Sequence, residues 1–188
     1  MKNTYLTDIL KTIDRMTAEY ETELVPLNSE QLNWKPDSAS WSVGQCVDHI
    51  VTTNRLYFKI FESLLDGTKP FNFWEKIPFL PGLFGKLLIK TTQPVIDKKN
   101  RTVPVFEPSK SEIPENILNT FFETQKVLID WIQKSDSLDH SSTIVTSPAA
   151  KFVTYSLHDV CHILSGHEER HLNQARNVMK MEGFPVLK

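Results

Sequence analysis

Two histidines in the middle of an apolar helix face constrain this chain more than any other feature. Leu157 to Glu182 reads as one long helix. Residues four apart on a helix lie nearly above one another. With His167 as the origin of the wheel, His171, Val160, Val178 and Leu164 all fall within roughly 60° of it. His158 and His162 fall on the opposite side with Glu169, Arg176 and Lys180, and that pair is expected to face water. Imidazoles on a core face need partners for their ring nitrogens. A divalent metal is the partner that this spacing suits best.

The rest of the chain supplies a bundle around that helix. Leu6, Ile9, Leu10, Ile13, Met16, Tyr20 and Leu24 recur at helical spacing, so a first helix is expected from about Thr4 to Glu23, ended by Pro26. Leu27 to Ser40 reads as a connecting turn. Ser42-Val43-Gly44-Gln45 forms a capping box, and a second helix follows to about Asp66, stopped by Gly67. His49 lies at the edge of its apolar stripe. A third helix is expected from about Glu112 to Lys134, with Pro114 in its first turn. Thr143 to Thr146 could be a short extended piece. Ser156 caps the fourth helix, which Gly183 closes.

Residues 67–111 form a long connection carrying Pro70, Pro78, Pro81, Pro94, Pro104 and Pro108, with a short helix near Leu83 to Lys90. Such a connection is uncommon in a compact domain unless something requires it. Parallel neighbours in a bundle need a crossover along its whole length. Phe71, Phe73, Trp74, Phe79 and Phe84 within it are expected to pack rather than to line a ligand box. The fold class is therefore all-α: a four-helix bundle with a long crossover between the second and third helices, forming a single domain over residues 1–188.

Net charge is −2, with no basic stripe for a phosphate backbone, so nucleic acid is not an expected partner. No segment has the run of roughly 18 apolar residues that a membrane span needs, so a membrane is not expected either. Cys46 and Cys161 are far apart and form no CxxC pair, which suits a reducing, cytoplasmic setting.

His167-Glu168-Glu169-Arg170-His171 satisfies the zinc protease pattern His-Glu-x-x-His. The extended pattern wants Gly and His where this chain has Gln174 and Asn177. The strands expected beside such a helix are also missing from the pattern. A carboxylate-bridged di-iron bundle needs Glu-x-x-His on two helices, which this chain does not offer.

Trp41-Ser42-Val43-Gly44-Gln45-Cys46-Val47-Asp48-His49-Ile50 resembles the second-helix signature of the DinB superfamily. His167-x-x-x-His171-x-x-Gln174 resembles its fourth-helix signature, and Ser29 to Pro36 also follows the family's habit. The resemblance implies that the second and third helices run parallel. It also implies a metal held by His49, His167 and His171. Three imidazoles leave positions open, the mark of a catalytic rather than a structural zinc site. Zinc or nickel fits best, and iron or manganese would also accept imidazole. Gln174 could orient a ligand or a bound water. Glu168 could support a ligand or act as a general base, or simply pair with a neighbouring helix.

The resemblance further implies a small-molecule substrate and a low-molecular-weight thiol, with S-transfer from the thiol to an electrophile as the leading function. The alternatives are a hydrolase using metal-bound hydroxide, and a metal- or ligand-binding module without turnover, for which a homodimer is one expected state.

Overall fold

The structure, a computed structural model, describes residues 1–93 and 102–186. Helix α1 runs Leu6–Leu24 and buries Leu6, Ile9, Ile13, Met16, Tyr20 and Leu24, the apolar series of the sequence. A short helix α2, Ser29–Asn33, follows, capped by a reciprocal Asn28–Gln31 box. Helix α3 spans Val43–Leu65 from the Ser42–Gln45 box. A short helical turn, Phe73–Lys76, leads into α4, Leu80–Thr92. After a second such turn, Pro104–Phe106, come α5, Ile117–Ser135, the antiparallel strands β1, Ile144–Thr146, and β2, Thr154–Ser156, and finally α6, Leu157–Met179. The crossover residues 94–101, Pro94 among them, lie outside the described residues.

The bundle is all-α, with α1, α3, α5 and α6 as its four long helices and the small hairpin as its one sheet among the described residues. Its polarity can be read from the two halves of the core. Met16 and Tyr20 of α1 cluster with Val43, Val47 and Ile50 at the start of α3, with Phe121 of α5, and with Leu172 and Ala175 of α6. Leu6 and Ile9 cluster with Phe61 at the end of α3, with Leu128 and Ile132, and with Leu157 and Leu164. So α3 and α5 run the same way, and α1 and α6 run the other way. A 23-residue α3 is about 34 Å long, and the crossover exists to return the chain along that length. Each fully buried Leu, Ile, Val or Phe contributes about 1.5–3 kcal/mol, so the paired clusters dominate cohesion.

Several boundaries differ from the sequence reading. The connecting turn of Leu27 to Ser40 contains α2. The third bundle helix starts at Ile117, leaving Pro114 outside it. Asn33 explains this: its Oδ1 accepts from Ile113 N (2.7 Å) and its Nδ2 donates to Ile113 O (2.9 Å), which holds that backbone out of a helix. The fourth ends at Met179, before Glu182, with Gly183 at φ +85°. Of the five crossover aromatics expected to pack, Phe71, Phe73, Trp74 and Phe79 are exposed. The crossover has only one side to lay on the bundle, and Pro81, Phe84, Gly85 and Leu88 take it.

Candidate metal centre

His49 enters the bundle from the first half of α3, and His167 and His171 from the middle of α6, one turn apart. Because the two helices are antiparallel neighbours, the three rings meet. His167 Nε2 lies 3.1 Å from His49 Nε2 and 3.0 Å from His171 Nε2. All three ligand atoms fall within 4.8 Å of one another. Two atoms each about 2.1 Å from a common cation, at angles of 90–110°, stand about 3.0–3.4 Å apart. The two His167 spacings are those of neighbouring ligands on one ion, and the His49–His171 pair lies within 4.8 Å.

The tautomers support the same conclusion. His49 Nδ1 sits 2.5 Å from the Phe106 carbonyl, which can only accept, so Nδ1 carries the proton and Nε2 presents its lone pair to the cluster. A proton on His167 Nε2 could serve one of its two contacts. The other contact is then left without a proton, and with His167 protonated on Nδ1 instead, its Nε2 lone pair would face that of His49. A cation at the centre satisfies all three nitrogens.

Burial keeps the imidazoles neutral, as ligands must be. It lowers the His49 pKa to about 4, against the opposing pull of the Phe106 bond. Burial pushes His167 and His171 well below the usual histidine range, and the neighbouring imidazoles and Arg170 add to this. His167 is only half-buried and forms the accessible side of the cluster. Trp41 walls the other side, its ring 4.8 Å from His49 and stacked 5.8 Å from His171.

The crossover builds the site as much as the bundle does. Ser109 N donates to Asp48 Oδ2 (2.7 Å) and Ser109 O accepts from Gln45 Nε2 (2.8 Å). Gln45, Asp48 and His49 thus grip one returning stretch of main chain from a single face of α3. Nothing local in the sequence announces this, because the partners lie about sixty residues apart.

The remaining candidates separate. Glu168 is fully buried, but its oxygens accept from Asn54 Nδ2 (3.1 Å) and Gln125 Nε2 (2.9 Å), and it stands outside the three-histidine group. It is the acid of a single Glu-x-x-His step, Glu168 to His171. Burial raises its pKa to about 7 against those two hydrogen bonds. Gln125 also reaches Thr17 (3.3 Å), so one residue from each long helix joins this polar layer. Gln174 lies beside His171, where its side chain favours the charged imidazole, while His171 Nδ1 has no well-formed hydrogen bond among the described residues.

Arg170 and Glu169 are not simply solvated. Arg170 donates to Thr91 O (3.0 Å), capping α4, and Glu169 pairs with Arg15 (3.5 Å). Cys46 is a buried core thiol with its pKa pushed up to about 12 by burial. His158 and His162 lie apart from the centre and are half-buried under Tyr5, at ring distances of 4.4 and 5.3 Å, rather than facing water outright.

A family model described as the DinB superfamily matches residues 12–175. No curated protein and no solved structure in the comparisons matches the chain.

Proposed function

The chain belongs to the DinB superfamily, and we propose that it binds one divalent cation on His49, His167 and His171 and transfers a low-molecular-weight thiol to a small electrophile. The observation that carries the reading is the convergence of three Nε2 atoms, with the His49 proton pinned on the far nitrogen. Zinc or nickel suits three imidazoles best. When bound among three neutral ligands, such a cation keeps its double charge and takes up a thiol as thiolate.

The protein's own groups supply the rest. Trp41 shields one side of the cluster, so substrates approach past His167. Arg170 adds positive potential, which favours an anionic sulfur. Gln174 offers an amide to orient the thiol or the leaving group. Of the parts open to Glu168, the bonds to Asn54 and Gln125 favour that of pairing with the neighbouring helices. Two buried, free cysteines suit a reducing compartment.

Cobalt substitution tests the proposal. Small cellular thiols should add a sulfur-to-cobalt charge-transfer band in the near ultraviolet, and His49→Ala should lose it. If a thiol panel gives no band and none is consumed with electrophiles, the transferase reading fails and a hydrolase using metal-bound hydroxide or a binding module remains.

A further inference from the structure

We propose that the outer face of α4, with the aromatic turn before it, is a docking surface for an anionic lipid bilayer. Phe79, Leu83 and Leu87 follow at intervals of four and are 69%, 57% and 51% exposed. They form one stripe along α4. The apolar surface continues beyond the helix. Exposed Phe73 packs on Trp74 (6.1 Å) and Trp74 on Phe152 (6.4 Å), with Phe84 of the inner side 6.3 Å from Phe152. A soluble monomer rarely exposes so much contiguous apolar surface without use.

The inner face is tightly seated, so the outer one is presented in a fixed orientation. A side chain at Gly85 would put its Cβ 2.2 Å from Asp159 Oδ2, and one at Gly166 would meet Thr92 O at 3.3 Å. Arg170 ties down the helix end through Thr91 O.

Charge selects the occupant. From Phe73 to Gln93 there are three lysines and one acidic residue, Glu75, which pairs with Lys69, in a chain whose net charge is −2. Lys86 and Lys90 fall within roughly 20° of Phe79 on the wheel, inside the apolar stripe. Long lysine stems can lie along buried apolar groups while the ammonium reaches outward to phosphates. A second copy docking two-fold on this face would set these lysines against their own counterparts. A purely anionic polymer would leave the aromatic and leucine side chains in water. No described helix is long and apolar enough to cross a membrane, so attachment would be peripheral.

Cosedimentation with vesicles tests this, using phosphatidylcholine alone and a mixture with about a third phosphatidylglycerol, whose headgroup carries the required charge. Wild type should bind the mixed vesicles in preference. Lys86→Gln/Lys90→Gln should lose roughly thirtyfold in partitioning. Leu83→Glu/Leu87→Glu should stay in the supernatant while retaining metal, which shows that it is folded. The proposal is overturned if wild type ignores both vesicle types, or if the lysine variant partitions as wild type does. It is also overturned if wild type dimerises through this face without binding vesicles.

Discussion

His49 is the histidine of the cluster whose position depends most on long-range structure. Its ring is aimed by a carbonyl from the crossover, and its neutrality follows from burial. Glu168, one residue from His167, sets the contrasting case. A buried carboxyl that accepts two amide bonds is a structural acceptor first, and removing it would strand Asn54 and Gln125. Glu168→Leu should cost about 1–3 kcal/mol for each stranded donor, whereas Glu168→Gln can be accommodated if Asn54 turns its unpaired Oδ1 toward the new amide.

The two kinds of buried group also oppose each other with pH. Glu168 is raised, so its contribution is complete below about pH 4.3 and is lost as pH rises through about 7. His49 is lowered, so its contribution is complete above about pH 6.5 and is lost as pH falls through about 4. Urea unfolding of metal-free protein should therefore show wild type losing stability relative to Glu168→Gln between pH 5 and pH 8, values chosen to bracket the raised carboxyl. Parallel curves for the two proteins would refute the buried, titrating carboxyl.

At the scale of elements, the site is two helices and a strap. The strap, residues 104–109, is held to α3 by Asp48 and Gln45 and delivers the Phe106 carbonyl to His49. Asp48→Ala should free Ser109 N, loosen that carbonyl and weaken metal affinity about 10–100-fold, the range for partners that orient a ligand. Helical content and the unfolding midpoint of the metal-free protein should change little. A competitive chelator titration measures the affinity, and an unchanged value would remove the strap from the site.

The elements differ in how far the sequence disclosed them. Ser42-x-x-Gln45 and Ser156-x-x-Asp159 marked α3 and α6 because a capping box is local. The Asn28-x-x-Gln31 box carries the same signal for α2, but it lies in a proline-flanked stretch that reads as a turn. The late start of α5 was not legible, since it depends on Asn33 gripping Ile113 eighty residues away. The exposure of the crossover aromatics is not legible for a related reason: apolar composition does not say which side of a short helix meets the bundle. The three histidines were legible as one set only with the family resemblance. Spacing alone placed His167 and His171 inside but left His49 at the edge of its helix.

At the scale of the whole molecule, parallel α3 and α5 explain the long crossover, and the crossover in turn completes the centre. Fold and site are thus one arrangement, and metal should stabilise the fold by mass action. The most direct test is metal content per chain, measured on untagged protein dialysed near neutral pH, together with the five α3 and α6 histidine variants. Wild type should hold about one divalent ion, as three imidazoles around one point require. His49→Ala, His167→Ala and His171→Ala should each lose most of it, while His158→Ala and His162→Ala, which alter only the packing under Tyr5, should keep it. Wild type without metal, or equal loss across all five variants, would contradict the three-histidine centre.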